Sequence, residues 1–366
     1  MKKKLTIKEI LNDCKIIAPL DLQENWDNSG EQITFPETKV SSVLIAMDVT
    51  SAVLKEAIQK KCQLIILHHP PLFRPLKNIN SSHPQQKLLI EAIQKKISLY
   101  AMHTNYDSTI NGMNDFFLKK LGIKKIEPLM MAPGNYLKLI TFVPQSHIET
   151  VRDALCKAGA GHIGKYSDCS FISSGIGSFK PLAGTNPFIG NTNKITYLEE
   201  DKLEVVINKN QLSKILTSLN QHHPYEEIAY DLVPLSNLKA GLGRIGYLPR
   251  KLKPKELVNQ IEKVFNVKDI RFSKRKSSVQ KIGVITGGAG SYYPEALKMG
   301  CDAYISGDIK HNEWHEANEA NLLLIDATHF ASENIFANSV IENLKPRIPH
   351  IKLIKSLADT CPYIAN

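Results

Sequence analysis

The chain has 366 residues, 43% of them hydrophobic, and a mean hydropathy of −0.19, enough for two or three globular domains with ordinary cores and with no apolar run near the roughly 18 residues that span a bilayer. Lys plus Arg total 46 against 36 for Asp plus Glu, a formal charge of +10, spread as short pairs; that balance suits an anionic small molecule, nucleic acid or a plain solvated surface and does not choose between them. Six cysteines stand far apart with no C-x-x-C pair, which excludes a disulfide framework or zinc ribbon and fits a reducing cytoplasm.

The opening, MKKKLTIKEILNDCKIIAPL, mixes charge into an amphipathic pattern without a small-residue cleavage site, and a first helix is expected there rather than an export signal. Apolar runs then alternate with helical patterns: VLIAMD (43–48), TSAVLKEAIQKK, LIILHH (64–69), PQQKLLIEAIQKK, ISLYAMH (97–103) and NGMNDFFLKKLG. Strand and helix at this spacing mean parallel strands joined by crossover helices. The last third repeats the idea, with KIGVIT (281–286), DAYIS (302–306) and LLLIDATH (322–329) each leading into a helical stretch, the last ending near Leu344.

The middle differs. From about Met131 to Pro249 the chain is rich in Gly and Pro turns, and its strands and helices follow a β-α-β, β-α-β order, which predicts a small α+β insert with a mainly antiparallel sheet. The expected organisation is therefore an α/β core in two similar halves, residues 1–130 and 250–366, interrupted by an insert over residues 131–249.

Three expected strand ends deliver metal-ligand residue types. LIIL runs into His68 and His69, ISLYAM into His103 and, four residues on, Asp107, and LLLIDAT into His329 with Glu333 four residues later. Functional groups of parallel sheets gather at such carboxyl ends, and the four-residue spacing of His329 and Glu333 aims both at one point. Adjacent strand residues point to opposite faces, but Pro70 and Pro71 stop the ladder and relax that constraint on the histidine pair. Three imidazoles and two carboxylates, with His103 as a sixth candidate, suit two divalent ions side by side. Mixed N and O ligation fits Zn, Fe, Mn, Co or Ni, and a water held by two such ions is a nucleophile near neutral pH. Taken singly, an HH pair is more often a surface feature, H-x-x-x-E is common in helices, and an Asp after a strand often caps a helix; their joint occurrence carries the metal reading.

Other motifs are weaker. GLGRIG (241–246) matches G-x-G-x-x-G but lacks the strand before it and the acidic partner after it. GGAGS places Gly288, Gly290 and Ser291 between a strand and a helix, where free N–H groups suit an anion, although a tight turn for close packing explains it equally. His315 and Glu316 follow the DAYIS strand and are candidates for proton transfer and substrate contact; Asp308 before them is first a capping residue. HHPYEE (222–227) resembles a ligand cluster by composition alone. Trp26, Asp27 and Asn28 form a loop expected at the crevice rim, with Asp27 a candidate substrate contact.

The segments ENWDNSG, HHPPLF, HTNYD, GGAGS, SGDIKHNEWHEA and DATHFASE together resemble the Nif-three-like proteins, also called GTP cyclohydrolase 1 type 2 homologues or dinuclear metal centre hexameric proteins. GHIGKYSDCSF, GIGSFKPLAGTNPFIG, HPYEEIAYD and GLGRIG resemble the PII- or CutA-like insert of the longer bacterial members. The resemblance implies that His68, His69, Asp107, His329 and Glu333 are metal ligands, with His103 near or on the site. It also implies a toroidal homohexamer with two metal ions per subunit. Departures occur at Ser29 and Glu31, where relatives usually carry aliphatic residues, and at Asn312, where many carry histidine. The implied chemistry is metal-dependent hydrolysis of a small anionic molecule, a nucleotide by the family's name; a phosphatase or amidohydrolase fits the same ligands. The rival is a metal-carrying ring with a regulatory or nucleic-acid scaffold role.

Overall fold

The computed structural model describes residues 5–131, 136–163, 166–235, 240–268, 270–275 and 277–363. Gly164 and Lys165 of the GHIGKYSDCSF segment lie outside the described residues. The chain forms two compact units, one of Met1–Ala132 with Lys239–Asn366 and one of Pro133–Leu238.

In the first unit, α1 (Ile7–Ile17) begins at Thr6, whose hydroxyl accepts from the Glu9 amide while the Glu9 carboxylate accepts from the Thr6 amide. Such a reciprocal cap stabilises a helix by about 1 kcal/mol. Then come β1 (Gly30–Ile33), β2 (Ser42–Ala46), α2 (Ser51–Gln59), β3 (Leu64–Leu67), α3 (Pro84–Gln94), β4 (Ser98–Ala101), α4 (Thr104–Ser108), α5 (Met113–Lys120) and β5 (Ile126–Met131). Every residue of β2, β3 and β4 is buried, as parallel strands covered on both faces must be.

The second unit contains β6 (Tyr136–Pro144), α6 (Ile148–Ala158), β7 (Ser170–Phe179), β8 (Thr196–Asn208), α7 (Leu212–His222) and β9 (Tyr230–Pro234). Its sheet runs β7-β8-β6-β9, antiparallel at every pairing. This is the expected α+β, ferredoxin-like order. Leu137, Leu139 and Val143 alternate inward along β6 and meet Val151, Leu155, Ile215 and Leu219 of the two helices.

The first unit resumes with β10 (Gly241–Leu252), α8 (Pro254–Phe265), β11 (Arg271–Phe272), β12 (Val279–Val284), α9 (Tyr293–Lys298), β13 (Ala303–Ser306), α10 (His311–Glu319), β14 (Leu323–Asp326), α11 (His329–Glu333), α12 (Phe336–Leu344) and β15 (Lys352–Lys355). The amphipathic segment ending near Leu344 is thus two helices, not one. Two sheets result, β1-β4-β3-β2-β15 and β11-β14-β13-β12-β10-β5. In the first, β15, β2, β3 and β4 run parallel; in the second, β12, β13 and β14 do. One core serves both sheets, joining Ile45, Ile66 and Tyr100 to Ile282, Ile305 and Ile325.

The insert is shorter than expected. Residues 241–249 do not belong to it: they lie in β10, which pairs with β5 on one side and β12 on the other. The glycines of GLGRIG read as turn material, yet Gly243 sits at φ +68 inside the strand because a Cβ there would come within 2.7 Å of the Val284 carbonyl.

Candidate metal centre

The carboxyl ends of the parallel strands converge as the expected topology requires. Asp48 follows β2, His68 and His69 follow β3, His103 follows β4, Asp308 follows β13 and His329 follows β14. His68 and His69 are held at the end of the ladder by their amides, which donate to the Met47 carbonyl. His103 precedes α4 and puts Asp107 one turn further on; His329 opens α11 and Glu333 closes it.

Four imidazoles are each fixed through Nδ1. His68 Nδ1 lies 2.9 Å from the Met102 carbonyl oxygen, His69 Nδ1 2.7 Å from Asp48 Oδ1, His103 Nδ1 2.7 Å from Asp27 Oδ1 and His329 Nδ1 2.8 Å from Asp308 Oδ2. Each of these oxygens only accepts, so Nδ1 carries the proton and a neutral ring keeps its lone pair on Nε2. Three of those Nε2 atoms turn toward Glu333: His68 lies 3.2 Å from Oε1, and His69 and His329 lie 3.0 and 3.2 Å from Oε2.

Despite these distances, His68 Nε2 and Glu333 Oε2 are buried with no hydrogen-bond partner. These buried atoms are left with unfilled valences among ligand-type neighbours, which a shared cation would satisfy. Two overlapping sets have ligand atoms within 4.8 Å of one another, His68–His69–His103 and His69–His329–Glu333. His69 belongs to both.

Asp107 stands outside these two sets, but it is buried and its Oδ1 is also unpartnered. Burial first, and the nearby Glu333 charge second, push its carboxyl up to about 8. Burial also disfavours the Glu333 carboxylate, yet His68, His329 and His69 outweigh it and hold that group well below the usual range. Burial pulls His69 down, but Asp48 and Glu333 carry it up to about 10; the adjacent Glu333 carboxylate carries His329 to about 9. Without a cation, protons on these rings compensate Glu333; a divalent ion does the same while also satisfying the orphaned atoms. The donor set and its unfilled valences fit a metal.

The backbone is shaped around the cluster. A Cβ on Gly287 would fall 2.1 Å from Glu333 Oε1, and one on Gly288 2.8 Å from Asp308 Oδ2. Gly287 adopts φ +79. The glycine turn therefore makes room for the acidic residues, which is the close-packing role its sequence allows. Gly290 likewise clears Glu313 and Ile309, and Ser291 is exposed. Thr328, just before His329, holds φ +61, a strained value for a β-branched residue.

Several expected site residues are engaged elsewhere. The Asp27 side chain is fully buried: Oδ1 takes His103 Nδ1, and Oδ2 accepts from Ser29 Oγ at 2.8 Å and from the Thr104 amide at 3.1 Å. It orients a histidine and has no free face for a substrate. Burial alone would raise its carboxyl, but His103, Thr104 and Ser29 hold it far below the usual range. His315 is exposed and pairs with His311, Nε2 to Nε2 at 3.2 Å. Glu316 accepts from the Tyr293 hydroxyl and from Asn312 Nδ2. In HHPYEE, His223 is a satisfied structural residue whose Nε2 donates to the Phe142 carbonyl at 3.0 Å while Nδ1 accepts from the Tyr225 amide.

Asp48 and the histidine-orienting role of Asp308 were not anticipated. The signal for both existed, since each is an acidic residue at the end of an apolar parallel strand, in AMD and SGD.

Comparison with known proteins gives one consistent picture. The family model Duf34/NIF3 (NGG1p interacting factor 3) matches residues 5–362. A Halalkalibacterium halodurans protein named GTP cyclohydrolase 1 type 2 homolog is 39% identical, covering 94% of this chain and 95% of its own length. A Bacillus subtilis protein of the same name is 36% identical, with 99% of each covered. The crystal structure of a Bacillus cereus protein related to NIF3 superposes with a TM-score of 0.78 at 33% identity, over 100% of both chains.

Proposed function

This chain belongs to the Duf34/NIF3 family, and on that premise we propose that it is a dinuclear-metal hydrolase acting on a small anionic substrate, of the cyclohydrolase, phosphoesterase or amidohydrolase type. The observation that carries the proposal is the set of four Nδ1-anchored imidazoles, three of which bring Nε2 to Glu333 while His103 groups with His68 and His69. His68, His69, His103, His329, Glu333 and Asp107 would hold two divalent ions, and the sharing of His69 between two sets supports two positions rather than one.

Bound divalent ions supply Lewis acidity and a nucleophile near neutral pH. The chain supplies the rest. Met102, Asp48, Asp27 and Asp308 fix the tautomer and angle of each ring, which keeps the ligand atoms preorganised. Glu333 keeps one negative charge at the centre across the physiological range. Asp107, buried with Oδ1 unpartnered, offers the second carboxylate and would give up its proton when the ions bind.

The names of the relatives favour a guanine nucleotide as the first substrate to test. The proposal includes a toroidal homohexamer, as the family resemblance implies, and a cytoplasmic setting, supported by six unpaired cysteines. Among the described residues no helix is long and apolar enough to cross a membrane. The test is metal content and turnover of purified protein reloaded with Mn, Fe or Zn, over nucleotides, phosphoesters and cyclic amides, with Asp107→Ala alongside. Turnover that falls with the variant supports the hydrolase; full metal content with no turnover across the panel overturns it in favour of the scaffold.

A further inference from the structure

We infer that the cavity beside His103 seats a planar aromatic ring carrying an anionic group, through Trp26, Phe73 and Arg74. The inference rests on the metal-centre reading and names the substrate class of that site. The cavity, about 470 Å³, is bounded by the loops after α1 and β3 and includes Trp26, Leu72, Phe73, Arg74, Pro75 and Leu76 in its wall. That volume suits a ligand of mononucleotide size.

Trp26 is 57% exposed and Phe73 44%. They are not scattered surface aromatics: their ring centroids lie 6.0 Å apart, and those of Trp26 and Phe73 lie 6.0 and 6.3 Å from His103. The His103 ring in turn lies 5.1 Å from His68 and 5.5 Å from His69. An aromatic wall thus runs from solvent to the metal ligands. Trp26 and Phe73 meet edge to face at 63°, too close for a ring to slip between them, so a ligand stacks on their outer faces.

Arg74 is exposed in the same wall and has no hydrogen-bond or ion-pair partner among the described residues. A guanidinium without a carboxylate partner, beside solvent-facing rings, is a receptor for a phosphate or carboxylate. A seat for a simple anion would not need two exposed rings, and a purely apolar seat would not carry a free guanidinium.

The test is equilibrium binding to full-length, metal-loaded protein without turnover, read from tryptophan emission. The chain has two tryptophans; Trp314→Phe as background isolates Trp26. The probes are guanosine monophosphate, phenyl phosphate, ribose 5-phosphate and inorganic phosphate. The expected result is quenching by the two aromatic phosphates, with the sugar phosphate and inorganic phosphate at least about tenfold weaker, and a loss of about tenfold in Phe73→Ala and in Arg74→Ala. Arg74→Lys restores part of the loss.

Equal binding of ribose 5-phosphate and the aromatic phosphates overturns the inference, as does wild-type affinity in the folded Phe73→Ala protein. A fall in molecular mass of Phe73→Ala by light scattering also overturns it, by making the wall a contact between copies of the chain. Metal content is measured in every variant. Aromatic binding that survives in a metal-free His69→Ala protein separates the seat from the centre. Unchanged metal in Phe73→Ala with lost binding shows that the seat has failed and the centre has not.

Discussion

Asp27 Oδ1 lies 2.7 Å from His103 Nδ1, joining two residues 76 positions apart in the chain. Asp48 holds His69 in the same way at 2.7 Å. Replacing either carboxylate by alanine frees the ring to rotate and to change tautomer. Asp27→Ala and Asp48→Ala are each expected to weaken metal binding by roughly 10–100-fold while the protein stays folded. Competition against a chelator of known affinity reads this directly, and wild-type affinity in both variants contradicts the orienting role.

Gly287→Ala is expected to empty the centre. The added methyl would stand 2.1 Å from Glu333 Oε1 at a residue with φ +79, so Glu333 must move. Gly300→Ala is the control: φ is +66 but nothing lies within 4 Å of the new carbon, leaving backbone strain of order 1 kcal/mol alone. Metal content should fall in the first variant and stay in the second.

The buried Arg244 underlies the segment that carries Asp107. Its Nε meets Asp115 Oδ2 at 2.5 Å, and its Nη2 donates to the carbonyls of Ser108, at 3.1 Å, and Thr109 at the end of α4. Arg244→Met leaves Asp115 buried and unpaired and should cost about 3–5 kcal/mol in denaturant unfolding; adding Asp115→Leu should recover most of it. A single variant as stable as wild type would refute the pairing.

Metal binding should be linked to protons. In the cation-free protein His69 rests at about 10 and His329 at about 9, above the ~6.5 of an unfolded chain. Their contribution to apo-protein stability is therefore complete below about pH 6.5 and lost as the pH climbs through 9 to 10. A cation must displace both protons, so affinity rises with pH up to that window. Calorimetry at pH 7.5 in buffers of different ionisation enthalpy should report about two protons released from the histidines and most of a third from Asp107, whose carboxyl stands at about 8.

The insert should be removable. Met131 and Gly241, at its two ends, are paired residues of β5 and β10, so a short turn can join them. A chain with residues 133–238 replaced by a four-residue turn is expected to fold and to keep its metal, as measured by circular dichroism and metal analysis.

Much of the site was legible because ligand and strand are neighbours in sequence. LIIL before His68 and LLLID before His329 announce parallel strands, and parallel strands deliver the residues at their carboxyl ends to one crevice. Asp27 was misassigned because its partner lies far away in the chain, and nothing local distinguishes a carboxylate that orients a ring from one that meets a substrate. Arg244 escaped notice because GLGRIG looks like loop, whereas the six-stranded sheet needs a strand there that tolerates a close backbone at Gly243. The glycines at 287 and 288 supported two readings until the positions of Glu333 and Asp308 decided between them.

The two sheets of the first unit exchange members: β5 leaves the N-terminal half to edge the second sheet, while β15, among the last residues, pairs with β2 in the first. A nascent chain emerging from the ribosome consequently presents β2 with one flank bare until residues 352–355 have been made. Loss of β15 would leave β2 as an exposed sticky edge open to aggregation.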